Sequence, residues 1–599
     1  MASPAFCYDA LSYTWGDDTD NDTITVNGYK LSIRNNLQVA LQHLRRSDKA
    51  VLLWVDSICI NQDDTDERNT QVAQMGRIFS QADQVRIWLG AESQASETAM
   101  RMLQGFDVVM SSNQVVQSVV ANEDATRALT LLLQRPYWTR MWVFQEIVLA
   151  RGATIHCGLF STKWSTLRAL DDVTGDPTWW QHPETRKIWI TALRKAVFRI
   201  SQFFITLPEA RKTIVNVLHP TRTLLSTDPR DKLFALMGVS DMSSLLKADY
   251  SKSTRDIYID FTERLIRRDR DLEILLTAGL WNPENGVDLG LPSWTPDYRG
   301  KSGLDIRYLA ASHLGHFNVS KNRKHSHIIF PGESTLVVEG VMVDTISETE
   351  FLGKGKSRRN AVMEKFGPVH RHARPRASHS LRALFETMIL YNTTMYGDSS
   401  EKATAIQKEN KSRLTLGFIH DFEEFYRAKG PARGIQMDMT TFQSALETDR
   451  FEESVQKYRD LQKSDPDALP WLREEYAARV EGATDGHLTN VFSTLDGYLG
   501  RGLSSVMKGD IVAVLFGSRL PFVLRKTEES QAYQLVSPCY VAGVMSGELM
   551  ERVRRSGEES RSQAKSERSS ESGSGMGSRG EIGGKSEHGY LQAEKIILV

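Results

Sequence analysis

These 599 residues imply an α/β protein in which an N-terminal parallel sheet is followed by a mainly helical region and a small C-terminal β module. Short apolar runs alternate with helical patterns up to about residue 160, the signature of strand–helix–strand units. Helical periodicity dominates from about 160 to 300. From Phe492 onward, short apolar stretches such as GDIVAVLFG and YVAGVMSGE are cut by glycine, as in a small barrel-like β module.

The elements follow in order. Tyr8–Tyr13 reads as a short strand. Ile24–Val26 and Tyr29–Ile33 flank Asn27-Gly28, whose tolerance of positive φ marks a two-residue hairpin. A helix opened by Asn35 or Asn36 carries Leu37, Ala40, Leu41 and Leu44 on one face. The apolar run VLLWVDSI (Val51–Ile58) suits a strand buried on both faces. Asp64 and Glu67 have capping-box spacing before a helix with Val72, Met75, Phe79 and Ala82 in register. Val85–Leu89 is a further strand, stopped by Gly90. Trp138–Ala150 reads as a helix with Trp142, Gln145 and Leu149 on one stripe, and Ala153–Cys157 as a strand.

Beyond these, TDPRDKLFALMGV (Thr227–Val239) and a segment near Arg255–Arg267 are helical in pattern, and LPSWTPDY (Leu291–Tyr298), with two prolines, is an extended loop. The expected organisation is an α/β domain over 1–160, a helical extension over 161–350, a basic linker over 351–380 and a charged helical region over 381–490. A β module over 491–599 follows, interrupted by a low-complexity, disordered insertion at 553–588 before Lys595–Val599 returns as its last strand. GYLGRG (Gly497–Gly502) lacks a βαβ context and reads as β-turns.

Composition narrows the function. A net charge of -1, from 74 basic and 75 acidic side chains, gives no global attraction to nucleic acid or anionic membrane. Cys7, Cys59, Cys157 and Cys539 are far apart in sequence, which excludes a CxxC zinc site and fits a reducing compartment. No signal peptide or apolar run of the ~18 residues needed to span a membrane is visible, so a soluble cytoplasmic protein is expected. His370, His372 and His379 among the arginines near 371–376 read as a solvated linker, and no metal site is expected.

Three blocks carry a family resemblance: YDALSYTWGD (Tyr8–Asp17), LWVDSICINQDDTDERNTQVAQMGRIFSQADQVRIWLG (Leu53–Gly90) and RPYWTRMWVFQEIVLARG (Arg135–Gly152). In this order they resemble the fungal heterokaryon incompatibility (HET) domain, and the later blocks resemble segments that follow it in large fungal members. Seven residues precede the first block where a strand and loop are usual, which implies a missing edge element or a truncated start. HET domains are in turn similar to Toll/interleukin-receptor (TIR) domains, some of which hydrolyse NAD. The resemblance implies a TIR/flavodoxin-like parallel sheet. It also implies self/non-self recognition and programmed cell death, acting through protein partners or self-association.

YDALSY looks like the TIR first-strand box, and Trp142 and Glu146 in WVFQE have the spacing of its WCxxE pattern, with Val143 in the place of the cysteine. The resemblance therefore implies Glu146 as a catalytic acid and NAD as a candidate substrate, with no cofactor certain. A carboxylate near an indole and withdrawn from water has a raised pKa. Asp56 follows a strand where open α/β sheets place ligands, Tyr13 and Trp15 could stack a ring, and Arg68 could bind phosphate. Each has a plainer alternative: Glu146 pairing with Arg140 or Arg151, Asp56 capping its loop, Tyr13 and Trp15 packing in the core, Arg68 solvated. A non-catalytic scaffold or a degenerate paralogue is the third functional class.

Overall fold

The computed structural model describes residues 7–16, 21–106, 112–175, 192–193, 196–197, 200–204, 214–280, 286–299, 317–321, 328–353, 355–366, 381–389, 401–429, 452–482, 489–528, 531–554 and 593–599. The chain forms two compact units, Met1–Ile257 and Tyr258–Val599.

In the first unit, β1 (Asp9–Tyr13) is the second strand of a five-stranded sheet, with β4 (Leu53–Trp54) on one side and β5 (Gln84–Trp88), β6 (Ala153–Cys157) and β7 (Phe160–Lys163) on the other. The first four pair in parallel and β7 is an antiparallel edge. Numbering only the parallel strands by chain position gives the order 2-1-3-4, that of doubly wound sheets that bind ligands at their carboxyl rim. The hairpin of β2 (Asn21–Val26) and β3 (Tyr29–Arg34) turns at Asn27 and Gly28, with φ of 52° and 86°, as its sequence requires.

Helix α1 (Asn35–Leu44) starts without a side-chain cap. The Asn36 amide instead donates to the Thr14 carbonyl and accepts from Trp88 Nε1, tying α1 to the rim. Val51–Ile58 is not one fully buried strand. Only Leu53–Trp54 pairs, at the sheet edge, Val51 and Leu52 are exposed, and Asp56–Cys59 coils into the short helix α2. An apolar run reads alike at the edge and centre of a sheet, and the Asp56 carboxylate turns the chain here by accepting from the Ser57 N–H.

Helix α3 (Thr65–Gln81) is capped by Asp64, which accepts from the Asp66 and Glu67 N–H groups, while Glu67 reaches back to the Asn61 N–H. Its Val72, Met75 and Phe79 are buried as the periodicity predicts. Gly90, at φ 105°, ends β5. Helices α4 (Gln94–Phe106), α5 (Ser112–Ala121) and α6 (Glu123–Leu132) lead to a 3-10 turn at Pro136–Thr139, and only then to α7 (Met141–Val148). The helix expected from Trp138 is therefore shorter and begins after Arg140.

After β7 come α8 (Trp164–Gly175), α9 (Ile214–Thr221) and the short α10 (Asp231–Phe234). The TDPRDKLFALMGV block packs back on α7 and α3. Its Gly238 is so close to Gly76 of α3 that a Cβ added to either would lie 2.6 Å from the other's Cα.

Helix α11 (Thr254–Asp269), most of it in the second unit, precedes β8 (Ile329–Gly332) and β9 (Thr335–Leu352), an 18-residue strand not expected from the sequence. Helix α12 (Lys356–Phe366) lies in the stretch read as a linker, and His370, His372 and His379 fall outside the described residues. Helices α13 (Leu381–Ile389), α14 (Glu401–Lys429), α15 (Glu452–Ser464) and α16 (Ala468–Gly482) make up the charged region.

The β module adds β10 (Thr489–Thr494), β11 (Leu499–Leu503), β12 (Ile511–Leu515), β13 (Phe522–Lys526), β14 (Tyr533–Pro538), β15 (Tyr540–Val541) and β16 (Glu594–Leu598). Pairings run β9–β12–β13–β14–β16 and back to β9, closing a barrel, with β10, β11 and β15 extending from it. GYLGRG is thus partly strand: Gly497, at φ 88°, belongs to the turn as expected, but Leu499–Gly502 lie in β11. Gly500 and Gly502 lie in β11, and a Cβ at Gly500 would meet the Phe492 ring at 2.3 Å. The LPSW loop fastens the last strand, with the Ser293 N–H donating to the Val599 carbonyl at 3.1 Å and Trp294 fully buried. Of the expected insertion 553–588, residues 555–588 lie outside the described residues. No described helix is long and apolar enough to cross a membrane.

Candidate functional site

The carboxyl ends of β1 and β4 bring together Tyr13, Trp15, Asp56 and Arg140. Trp15 Nε1 donates to Asp56 Oδ2 at 2.9 Å, and the Ser57 N–H donates to Asp56 Oδ1 at 2.7 Å. Tyr13 OH and Ser57 Oγ are 2.8 Å apart, and the Arg34 guanidinium lies 5.2 Å from the Trp15 ring. Asp56 is half-buried as a residue, but withdrawal of its carboxylate from water raises its pKa, opposed by Arg140 and the Trp15 N–H. Asp56 therefore serves both the turn into α2 and the rim.

Side chains alternate along β1. Tyr13 faces the core made by Leu11, Leu37, Ala40, Val55 and Trp88. Ser12 turns the other way, toward α7, and there meets Glu146. The Glu146 side chain, 3% exposed, accepts a hydrogen bond from Ser12 Oγ, and Ser12 Oγ lies 2.6 Å from Tyr137 OH. Arg140 donates to the Tyr13 carbonyl. Burial pushes the Glu146 carboxyl up to about 7, Arg140 and Ser12 oppose this, and Asp56 adds to it. Burial also raises the Tyr13 and Tyr137 hydroxyls. With its pKa raised toward neutrality by burial, this carboxyl is of the kind that can give or take a proton near neutral pH.

Arg68 and Trp142 belong to a second cluster. Trp142 Nε1 donates to Asp231 Oδ2 at 3.0 Å, and Tyr250 OH donates to Asp231 Oδ1 at 2.5 Å. The Arg68 guanidinium stacks 3.5 Å from the Tyr250 ring and reaches Asp228 at 3.7 Å. Burial raises Asp231 to about 6, against the Tyr250 and Trp142 hydrogen bonds. For Asp228 burial works against ionisation, but hydrogen bonds from Arg230 more than offset it and hold it low. The indole expected beside Glu146 thus has its N–H committed elsewhere, and Arg68 is neither solvated nor at the Glu146 rim.

Sequence reasoning misses Ser12 and Tyr137 as the partners of Glu146, and Asp231 and Tyr250 as those of Trp142. Ser12 and Tyr137 stand inside the first and third blocks, but nothing in their spacing says that they meet 125 residues apart. All four cysteines are free, and no group of three or more His, Cys, Asp or Glu among the described residues is placed to hold a metal ion.

Comparison with known proteins gives two family matches: "Heterokaryon incompatibility protein (HET)" over residues 8–146, and "Het-6 beta-barrel domain" over residues 398–558. The Neurospora crassa protein "Heterokaryon incompatibility protein 6, OR allele" is 24% identical over 653 aligned positions, spanning 92% of this chain and 91% of its own. No solved structure matches. The barrel match excludes β9 and β16, which close the ring.

Proposed function

We propose that the chain is a fungal heterokaryon incompatibility (HET) domain protein, a self/non-self recognition protein and programmed cell-death effector acting through protein contacts, a reading that the two family matches and the relative support. The observation that carries this is the relative named for heterokaryon incompatibility, which aligns over 92% of the chain. The first unit is the effector, the second senses or restrains it, and the site of action is the cytoplasm, through protein partners or self-association. Expression of the full chain in a filamentous fungus is expected to arrest growth and stain cells with a viability dye. Unaffected growth at matched protein levels would refute the effector reading and leave a scaffold.

A second reading has its own support in the buried acid at the carboxyl rim of a 2-1-3-4 sheet: a TIR-like NAD glycohydrolase. Water and NAD give nicotinamide, ADP-ribose and a proton. As the nicotinamide–ribose bond breaks, positive charge grows on the sugar, and ionised Glu146 stabilises it, with Arg140, Asp56 and Trp15 at the pocket mouth. At 3% exposure Glu146 is sealed, so the rim must open, and clustering of copies is the signal we assign to this step. Purified protein, dispersed and clustered, is incubated with NAD. Nicotinamide release lost in Glu146→Ala is expected, and no release, or equal release from the variant, removes the reading.

A further inference from the structure

Helix α7, which carries Glu146, is held by a segment outside residues 8–146. The backbone N–H of Met141 donates to the Leu225 carbonyl at 2.8 Å, and the N–H of Leu225 to the Thr139 carbonyl at 2.5 Å, a strand-like bridge at the start of α7. One position along, Trp142 Nε1 donates to Asp231 at 3.0 Å. Three further along, Gln145 Oε1 accepts from the Gly238 N–H at 2.8 Å. Lys232 Nζ donates to the Arg222 carbonyl at 2.9 Å and to that of Leu224, folding the segment on itself. Asp231, 7% exposed, also takes the Tyr250 hydroxyl, and Asn69 of α3 accepts from the Tyr250 N–H at 2.9 Å.

We propose that Asp231, acting through Trp142, is the positioning residue for the Glu146 helix, and that the 222–250 segment is a working part of this site. The proposal rests on the NAD glycohydrolase reading for its kinetic consequence but not for its structural one. Trp142 and Glu146 are one helical turn apart, so a displacement at one end of that turn is carried to the other. Glu146 keeps its Ser12 hydrogen bond and its seal from water only while α7 stays in place. Asp231 does not touch the substrate. It fixes the helix through Trp142, and Asp228, Arg230, Arg68 and Tyr250 are the charged and titratable groups around it.

The test uses the full chain with Asp231→Ala and Asp231→Asn. The Asn variant keeps an oxygen for Trp142 Nε1, whereas Ala keeps none. In Asp231→Ala, kcat for nicotinamide release is expected to fall on the order of 100-fold with KM little changed, as for a misplaced catalytic group. The ionisation midpoint of Glu146 is read by infrared absorbance as the difference between each protein and its Glu146→Gln counterpart. It is expected to drop from about 7 toward the ordinary carboxylate range as water reaches the group. Asp231→Asn is expected to restore most of both. Unchanged kcat and midpoint in a folded Asp231→Ala protein, or an Asn variant no better than Ala, overturns the proposal. If the wild type releases no nicotinamide, the NAD reading falls and the midpoint alone decides. If Asp231→Ala does not fold, Trp142→Phe, which deletes the donated N–H, is read in the same way.

Discussion

Replacing Glu146 by glutamine should stabilise the first unit, increasingly as pH rises from 4.5 to about 7. The Glu146 carboxyl is raised from 4.5 to about 7 by burial, so the folded state binds its proton more tightly than the unfolded chain does. The resulting stability is fully present below the unfolded value, is lost as pH rises through the window from 4.5 to about 7, and is absent above it. At about 1.4 kcal/mol per pH unit, the wild type loses about 3 kcal/mol relative to the glutamine variant across that window. Glutamine resembles the protonated acid in size and can still bond the Ser12 hydroxyl, so the variant escapes the slope. For a unit of this size about 2–4 °C per kcal/mol converts the difference to a Tm gap of roughly 6–12 °C at pH 8, closing near pH 4.5. Thermal melting of both full chains across this range checks it, and the comparison cancels other titrating groups such as Asp231. Parallel Tm curves for the two proteins would show that Glu146 is ionised at ordinary pH in both states, and the electrostatic argument for the site would collapse.

Gly238→Ala should lower the stability of the first unit by about 1–3 kcal/mol, read by urea titration, because its Cβ would sit 2.6 Å from the Gly76 Cα and 2.5 Å from Gln145 Oε1. Asp64→Ala removes the acceptor for the Asp66 and Glu67 N–H groups and should cost about 1 kcal/mol by the same measurement. Arg501→Ala should destabilise the second unit by roughly 3 kcal/mol or more, read as early loss of its melting transition. Its fully buried guanidinium donates to the Met388 and Val480 carbonyls and to Thr489, and the alanine leaves those buried acceptors without this donor and a cavity in its place.

Local physics made part of this legible. Asn27-Gly28 can only turn a tight hairpin, Asp64 before Thr65 can only start a helix well, and Val72, Met75 and Phe79 can share one buried face only in a helix. What failed was context. The run VLLWVDSI is apolar enough for a central strand, but its neighbour lies on one side only, and Asp56 bends the chain before Ile58 is reached. GYLGRG carries the glycines of a turn, yet two of them exist so that Phe492 and Val506 can lie against the strand. Strand β9, the longest, lies outside the glycine-punctuated region because barrel closure is a long-range pairing that no window of sequence contains.

For the candidate site, the sequence singled out Glu146 but not the partners that the fold gives it. Trp142 and Glu146 are adjacent on the surface of one helix, which invites the inference that the indole desolvates the carboxylate. The fold assigns them to different neighbours, Glu146 to Ser12 from 134 residues earlier and Trp142 to Asp231 from 89 residues later. Each polar side chain of α7 that points inward is thereby matched to an element far away in sequence: strand β1, helix α10, and Gly238 for Gln145. A buried acid held by a hydroxyl rather than by a direct arginine pair keeps a pKa near neutrality, where a salt bridge would have driven it down. The position of Arg140 supplies that distinction. It gives its hydrogen bond to the Tyr13 carbonyl, so its charge moderates Glu146 without capturing it. The surroundings of α7 are therefore a property of the whole first unit: the 222–250 segment holds Trp142 and Gln145, while the first and third blocks supply the Ser12 and Tyr137 hydroxyls beside Glu146.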